Sequence, residues 1–297
     1  MKIDTLAAID IGSNAIRLMI CNIEKRTKKN TFKKLALIRV PLRLGEDVFA
    51  KGEISEDKKE RLCQAMLGFS HLMIAYNVID YRACATSAMR EASNSLDVVQ
   101  AVSEISGINI DILEGEEEAN HILNASAVRG KFDDSRTYLY VDVGGGSTEL
   151  VVYSKGEKLA SKSFKIGTVR QLLGNTDRSE KQHFKIWLKE AHKKYAPDVI
   201  IGSGGNINKV HKMLLKKLKD PVTYSELKEL YTSLKGMTND DRMSQLGLNP
   251  YRSDVIIPAM KLFLTVAKEC HIHDIMVPKV GLPDGVIFDL YEKLYTK

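Results

Sequence analysis

The sequence predicts an α/β protein built from two related domains, and three observations carry this prediction. The chain has 297 residues, and domains commonly hold about 100–200 residues each. Short apolar runs alternate with segments whose apolar residues recur at helical spacing. One arrangement, an apolar run followed by Asp and a turn of small residues, occurs at Asp10–Asn14 and again at Asp142–Thr148.

The first half of the chain opens with a predicted hairpin. Apolar strands over 6–11 and 16–23 flank a Gly-Ser-Asn turn, which is a typical hairpin signal. A loop over 24–34 and a third strand over 35–42 follow. Apolar residues at helical spacing predict a helix over 55–76. The remaining elements expected in this half are a strand over 81–86, a helix over 95–107 ended by its glycine, a strand over 108–113 and a helix over 116–128.

The second half repeats the opening arrangement. Strands over 138–143 and 149–153 flank the sequence GGGST. A third apolar strand, over 198–201, ends in GSGGN and leads into a helix that begins near Ile207. Further helices are predicted over 180–195, 225–234 and 255–270. We place the boundary near 124–135, which gives domains of residues 1–124 and 125–297.

Composition and charge restrict the class of protein. Hydrophobic residues make up 44% and charged residues 28% of the chain, a balance that excludes disorder or a fibrous repeat. The formal net charge is +6, but 16 Lys and Arg against 5 Asp and Glu lie between Lys155 and Lys219. This basic region suits an anionic partner or a solvated lysine-rich helix face, and charge alone does not choose between them.

Cysteine usage and hydropathy indicate a soluble protein of a reducing compartment. The four cysteines, Cys21, Cys63, Cys84 and Cys270, are scattered without a CxxC pair, so neither a disulfide framework nor a zinc site is expected. The N-terminus lacks the uninterrupted apolar segment of a signal peptide, and no run approaches 18 apolar residues. We therefore expect a cytoplasmic protein without a membrane partner.

Glycine-rich turns are the first candidate binding elements. Glycine in a tight turn leaves backbone N–H groups accessible, so that they can surround an anion. One such turn is typical of an ordinary hairpin, but three in one chain favour phosphate binding. Asp10 and Asp142 each end a strand before a turn, where a carboxylate could hold a divalent cation beside the phosphate. The third turn, 202–206, opens a helix, whose dipole favours anions.

Other known glycine motifs do not fit. No GKS or GKT follows any of the three turns, which excludes a Walker A loop. None matches GxGxxG with a ribose-binding acid, so a nicotinamide cofactor is not expected. The pattern favours two related domains that face each other across a phosphate-filled cleft.

Charged residues near the turns are candidates for catalysis. Glu149 lies seven residues after Asp142, and three glutamates, 116–118, open a predicted helix. The triplet is either a set of first-turn dipole partners or includes a base that deprotonates water for in-line attack on phosphorus. Arg90, in a loop of small residues, is either a surface residue or a bidentate phosphate ligand. The seven histidines show no metal spacing and are interpreted as non-catalytic.

These motifs together resemble the exopolyphosphatase / guanosine-pentaphosphate phosphohydrolase (Ppx/GppA) family of the actin–sugar kinase–heat-shock ATPase superfamily. The resemblance runs over residues 8–287 in family order. The matching segments are AIDIGSNAIRLMI, RVPLRLGEDV, ATSAMREA, EGEEEA, VDVGGGSTELVV, IGTVR, GSGGNI, LGLNPYRSDVIIPA and GLPDGVI.

The resemblance implies two ribonuclease-H-like (actin-like ATPase) domains with an interdomain cleft, and a last helix over about 285–297 that packs on the first domain. It implies a Mg²⁺-dependent, or other divalent-cation-dependent, hydrolase that releases terminal phosphate from polyphosphate or guanosine pentaphosphate. Glu118 matches the family's catalytic base, Glu149 its second catalytic glutamate and Asp142 a metal partner. The matching substrate-binding residues are Gly12, Ser13 and Asn14 of the first loop, Gly144, Gly145, Gly146 and Ser147 of the second, and Arg90, Gly204, Gly205 and Arg252.

The sequence departs from the family pattern in two ways, and two competing functions remain as alternatives. The extra C-terminal domain of long members is not expected, which puts processive action on long chains in doubt. The third loop reads GSGGN where many relatives have threonine, which puts nucleotide specificity in doubt. The alternatives are a non-catalytic polyphosphate or alarmone sensor and a sugar-kinase-like phosphotransferase. The basic region has few interleaved aromatic residues for base stacking, so nucleic acid is not an expected partner. We expect the protein to form a homodimer.

Overall fold

The computed structural model describes residues 3–24, 31–124, 133 and 135–295. The chain divides into two compact units, unit 1 with Met1–Ser126 and Leu282–Lys297, and unit 2 with Ala127–Gly281. The domain limits predicted from the sequence, 1–124 and 125–297, stay a prediction. No helix of the described residues is long and apolar enough to cross a membrane.

Unit 1 is a five-stranded sheet with six described helices. Its strands are β1 Ile3–Ile11, β2 Ile16–Glu24, β3 Thr31–Val40, β4 Asp80–Ala85 and β5 Ile110–Ile112. Its helices are α1 Leu44–Lys51, α2 Glu56–Ala75, α3 Ser87–Glu91, α4 Ser95–Ser106, α5 Gly115–Asn124 and α13 Leu282–Tyr295. The strand order is β3-β2-β1-β4-β5, with β1 to β3 antiparallel and β4 and β5 parallel to β1. The final helix α13 packs on α5, β1 and β4.

Unit 2 repeats this sheet. Its strands are β6 Thr137–Val143, β7 Thr148–Ser154, β8 Glu157–Phe164, β9 Val199–Ser203, β10 Val222–Thr223 and β11 Asp274–Met276. Its helices are α6 Thr168–Leu172, α7 Arg178–Tyr195, α8 Gly205–Met213, α9 Tyr224–Lys235, α10 Asn239–Leu246, α11 Pro250–Ser253 and α12 Ile256–Glu269. The order is β10-β11-β9-β6-β7-β8, with β6 to β8 antiparallel and β9 and β11 parallel to β6.

The two sheets share one topology, in which an antiparallel meander of three strands is continued by two parallel strands. This is the strand order of a ribonuclease-H-like domain, so the predicted fold class is confirmed. The centre of each sheet is the first strand of its unit. Both strands are near-continuous apolar runs, because both faces of each strand are covered. Examples are Leu6–Ile9 in β1 and Leu139–Val141 in β6, which are buried.

Several elements differ from the sequence prediction. Residues 31–34, expected in a loop, extend β3, because they pair with β2 up to Glu24. The strand β8 and the helix α1 were not predicted, since β8 is a largely exposed edge strand with three charged residues and α1 has only eight residues. Arg90, expected in a loop, lies in α3. The strand predicted over 198–201 continues to Ser203, because Gly202 and Ser203 pair with Val141 and Asp142 of β6.

Other boundaries shift by a few residues, and the predicted strand over 108–113 contracts to β5. The predicted loop over 24–34 and the predicted helix over 116–128 each include residues outside the described part of the chain. These residues are 25–30 and 125–128. The four cysteines are free and buried, as expected.

Candidate functional site

The first glycine turn joins β1 to β2 and is held by the first turn of α1. The N–H of Gly12 donates to the carbonyl of Ala15 across the turn at 3.2 Å. The N–H of Gly45 donates to the carbonyl of Ser13 at 2.9 Å. A Cβ at Gly45 would lie 2.9 Å from the Cβ of Ser13, so this contact requires glycine. The Ser13 side chain is itself buried and shares a 2.9 Å hydrogen bond with the Ser87 hydroxyl.

The second glycine turn, between β6 and β7, is held by the segment 166–170. The N–H of Thr168 donates to the carbonyl of Gly144 at 3.0 Å and that of Val169 to the carbonyl of Gly145 at 2.8 Å. The guanidinium Nε of Arg170 donates to the carbonyl of Gly146 at 2.9 Å. Arg170 is buried, and its role was missed by the sequence reasoning, although IGTVR was among the segments that carried the resemblance.

The orientation of these three carbonyls determines where the turn's N–H groups point. In a trans peptide the N–H points away from the C=O of the same peptide unit. Because the carbonyls of residues 144–146 point at the segment 166–170, the N–H groups of Gly145, Gly146 and Ser147 point to the opposite side. Among the backbone hydrogen bonds of the described residues outside helices and strands, none has these three groups as donors. Successive backbone N–H groups on one side of a turn can bind an anion, and we call these three groups the nest.

The third glycine turn brings the start of α8 beside β6. Gly204 has φ +104° and precedes α8. A Cβ on Gly204 would lie 3.0 Å from the carbonyl oxygen of Val143 and 3.2 Å from Oδ1 of Asp142. Only glycine therefore allows this approach, which sets Gly204 next to the Asp142 carboxylate.

A row of polar side chains crosses the sheet of unit 2 at this edge. Asp142 of β6 pairs in register with Glu149 of β7 and with Ser203 of β9, and Glu149 pairs with Ser163 of β8. Residues paired in this way share one face of the sheet. Glu149 is 1% exposed, and its Oε1 accepts hydrogen bonds from the hydroxyls of Ser147 at 2.6 Å and Ser163 at 3.1 Å.

The corresponding row in unit 1 has a different charge pattern. Asp10 pairs in register with Arg17, and their side chains form an ion pair at 2.5 Å. Arg17 in turn pairs in register with Arg39 of β3. Arg17 is a second residue that the sequence reasoning missed. Its signal was available, because it follows Asp10 by seven residues as Glu149 follows Asp142.

The structure separates the three members of the glutamate triplet at the start of α5. Glu116 and Glu117 are exposed, whereas Glu118 is buried, with 9% exposure. Glu117 lies 3.7 Å from the guanidinium of Arg82. Arg90 donates to the carbonyl of Leu113, just before this helix, and so ties α3 to the segment that leads into α5.

The last candidate, Arg252, lies in the short helix α11. The neighbouring structure depends on Arg242, which is buried and donates to the carbonyls of Leu234 at 2.9 Å, Met237 at 2.8 Å and Ser253 at 2.8 Å. Arg242 thereby joins the end of α9, the start of α10 and α11. No sequence motif marked this residue.

Few side chains of the site are ligands for a divalent cation. The described residues contain no group of three or more His, Cys, Asp or Glu that could hold a metal ion. Mg²⁺ commonly uses only one or two protein carboxylates and fills its other positions with water and substrate phosphate. The half-buried carboxylate of Asp142, beside the nest, fits such a site. The carboxylate of Asp10 is already paired with Arg17.

Comparisons with known proteins agree with this arrangement. Residues 23–294 match the family described as the Ppx/GppA phosphatase family. The chain belongs to the Ppx/GppA phosphatase family. A Ppx/GppA family member from Aquifex aeolicus, known from its crystal structure, is 26% identical, covers 99% of both chains and has a TM-score of 0.79. The crystal structure of an exopolyphosphatase from Cytophaga hutchinsonii is 22% identical, with 98% coverage of both chains and a TM-score of 0.85, and shows the same fold.

A relative known by sequence is longer than this Ppx/GppA family chain. The guanosine-5'-triphosphate,3'-diphosphate pyrophosphatase of Aliivibrio fischeri is 25% identical over 97% of this chain but only 59% of its own length. The chain therefore spans about three fifths of the length of this curated relative. The family assignment made from the sequence is confirmed.

Proposed function

We propose that the protein is a divalent-cation-dependent phosphohydrolase that releases terminal orthophosphate from inorganic polyphosphate, guanosine pentaphosphate or both. The observation that carries the proposal is the nest at Gly145, Gly146 and Ser147 beside the Asp142–Glu149 pair. It joins an anion-binding backbone to the carboxylates that metal-assisted hydrolysis uses. The family is one of phosphatases, and the names of relatives, a pyrophosphatase and an exopolyphosphatase, denote hydrolases of phosphoanhydride bonds.

The nest has the properties that phosphoryl transfer requires. Charge spreads over the oxygens of the transferred group in the transition state, and fixed N–H donors stabilise it without reorganisation. The hydrogen bonds from the segment 166–170 fix the three carbonyls of the turn, so they fix the opposing N–H groups as well. The turn Gly12–Asn14 of unit 1 is proposed as a second phosphate contact, with Arg90, Gly204, Gly205 and Arg252 as further substrate contacts.

Two glutamates have separate roles in the proposal. Glu118 accepts the proton of the attacking water. Its burial supports this choice over the exposed Glu116 and Glu117, since the proton acceptor must face the reaction rather than bulk solvent. Glu149, oriented by Ser147 and Ser163, orients water or the metal shell. Asp142, with Asp10 as a second candidate, would hold the divalent cation, which supplies Lewis-acid neutralisation of phosphate charge when bound.

The competing functions lack a specific supporting feature. The basic region Lys155–Lys219 does not lie in one place, because β8 forms one edge of the sheet in unit 2 and Lys216–Lys219 precede β10 at the other edge. This division gives little support to a continuous nucleic-acid surface. A sensor or a sugar-kinase-like phosphotransferase would bind phosphate without releasing it to water.

Phosphate release by a Glu118→Gln variant tests the proposal. Polyphosphate and guanosine pentaphosphate are assayed with Mg²⁺, with Glu117→Gln as the matched control on the same helix. We expect a fall in kcat of about 10³-fold for Glu118→Gln, since general bases contribute about 10²–10⁴-fold, and less than about 3-fold for Glu117→Gln. Near-normal turnover by Glu118→Gln would overturn the assignment. No release by the unaltered protein, with transfer to an added sugar instead, would favour the phosphotransferase.

A further inference from the structure

His121 joins three elements of unit 1. It follows Glu118 by three residues on α5 and is 8% exposed. Its Nδ1 is hydrogen-bonded to the carboxylate of Asp289 on α13. Its Nε2 lies 3.1 Å from Nη1 of Arg82 on β4. The imidazole therefore lies between an acid from the last helix of the chain and a base from the sheet.

These partners determine the tautomer of the ring. A guanidinium only donates hydrogen bonds, so the Nε2 beside Arg82 must be the accepting nitrogen. The proton then resides on Nδ1, which donates to Asp289. We assign the neutral Nδ1–H tautomer on this basis. Both neighbours therefore hold the ring in one orientation.

Arg82 is fixed from the other side. Its Nε donates to Oδ2 of Asp111 on β5 at 2.8 Å, and its Nη2 lies 3.7 Å from Oε1 of Glu117. Burial alone lowers the pKa of Arg82, but the hydrogen bond to Asp111 and the nearby negative charges outweigh it and raise the pKa. These contacts thus link β5, β4, α5 and α13. They run from Asp111 through Arg82 and His121 to Asp289.

We propose that His121 is a positioning residue for Glu118, an inference that rests on the proposed function. Side chains three residues apart lie on the same face of a helix, so the contacts of His121 fix the rotation of α5 about its axis and with it the direction of the Glu118 carboxylate. Arg90, through the carbonyl of Leu113, holds the chain just before the helix. A displacement of a reacting group by about 1 Å can cost about 10²-fold in rate.

The first test compares kcat and KM for phosphate release. His121→Phe keeps the ring volume but loses both hydrogen bonds, and we expect kcat to fall at least about 10-fold with KM unchanged. Asp289→Asn keeps an acceptor for Nδ1–H and should stay within about 3-fold of the unaltered protein, whereas Asp289→Leu should resemble His121→Phe. The Asp289 pair also serves as the test where His121→Phe does not fold.

Tyr295→Phe is the matched control for loosening α13. The Tyr295 hydroxyl donates to the carboxylate of Asp4 on β1, so this variant removes a different contact between the same helix and the sheet. We expect it to keep the kcat of the unaltered protein. An equal fall in kcat for Tyr295→Phe and His121→Phe would overturn the proposal in favour of general loosening of α13.

A double variant separates positioning from stability. If His121 acts through Glu118, adding His121→Phe to Glu118→Gln causes no further fall in the residual rate, because the group it positions is already gone. A further fall by the same factor as in the single variant would overturn the proposal, as would an unchanged kcat for His121→Phe. A different result overturns the proposed function: normal turnover by Glu118→Gln alone. That result would also remove the positioning role, because Glu118 would then have no catalytic role to support.

Discussion

Asp142 and Glu149 lie directly opposite each other on the antiparallel strands β6 and β7. The same two places in unit 1 hold Asp10 and Arg17, also directly opposite each other. One sheet thus presents two acids at its turn, and the other an acid neutralised by a base at 2.5 Å. A repeated backbone carries two charge patterns, and the acidic one lies beside the nest. This contrast supports the proposal that Asp142 and Glu149 are the carboxylates of unit 2 that take part in hydrolysis.

Replacing Glu149 by glutamine tests its charge without changing its shape. We expect Glu149→Gln to lower kcat for phosphate release by about 10²-fold, because a neutral amide no longer orients water or a metal shell. Thermal unfolding should change little, since the amide oxygen still accepts from Ser147 and Ser163. Ser163→Ala is the control, with an expected loss below about 5-fold, because Ser147 still donates at 2.6 Å. A kcat for Glu149→Gln within about 3-fold of normal would contradict the role.

Asp142→Asn tests the proposed metal position. We expect the Mg²⁺ concentration for half-maximal phosphate release to rise by about 10-fold or more, since an amide is a weaker ligand for Mg²⁺ than a carboxylate. Saturating Mg²⁺ should recover a large part of the rate. The measurement is a Mg²⁺ titration of initial rates, with Asp10→Asn in parallel to compare the two candidates. An unchanged titration midpoint for Asp142→Asn would exclude it as a metal ligand.

The repeat was predictable from sequence because it depends on local signals. Apolar strands, turn glycines and the Asp that ends each strand are contiguous in the chain, so Asp10–Asn14 and Asp142–Thr148 could be matched directly. The difference between the two copies was also present, in Arg17 and Glu149, but its meaning requires the strand register. Register depends on the pairing of two strands and is not readable from one of them.

The supporting residues could not be predicted because their partners are distant in sequence. Arg170 holds a turn 24 residues before it, and His121 contacts Asp289, 168 residues later. Neither residue has a local pattern that distinguishes it from a surface residue. The strand β8 was missed for a related reason. Most of its exposed positions are charged, so only pairing with β7 identifies it as a strand.

The cysteines of the folded protein should resist thiol reagents. Burial raises the pKa of Cys84 and Cys270 to about 12 and that of Cys21 to about 11, and it also raises that of Cys63. Because the thiolate is the nucleophile, we expect Ellman's reagent at pH 8 to react with no cysteine of the native protein and with four after unfolding in guanidinium. Rapid reaction of any thiol in the native protein would contradict this.

The same pKa shifts predict a pH dependence of stability. The folded-state pKa values lie above the ordinary value of 9.0, so the folded chain holds these thiol protons more tightly than the unfolded chain does. Their contribution is therefore fully present below about pH 9 and is lost as pH rises towards 11–12. Replacing Cys84 by alanine should flatten the decline of the unfolding free energy in that range. An equally steep decline in Cys84→Ala would assign the effect to other groups.

Gly167 tests whether the nest depends on the segment that holds it. A Cβ at this position would lie 2.3 Å from the carbonyl carbon and oxygen of Gly145 and 2.4 Å from the carbonyl carbon of Gly146. These neighbours are backbone atoms, so the clash in Gly167→Ala can be relieved only by moving the turn or the segment. We expect a loss of unfolding free energy of about 3 kcal/mol, at the upper end for overpacking.

The fall in activity should exceed what this loss of stability explains. Displacing the segment frees the carbonyls of Gly145 and Gly146, and the opposing N–H groups then lose their fixed direction. We expect kcat to fall by about 10²-fold at a temperature where urea titration shows the variant to be folded. Gly68→Ala is the matched control. Gly68 is exposed within α2 with nothing within 4 Å of its would-be Cβ, so alanine there should stabilise the fold by about 0.5–1 kcal/mol and leave kcat unchanged. Normal turnover by folded Gly167→Ala would show that the turn keeps its donors in place without the segment 166–170.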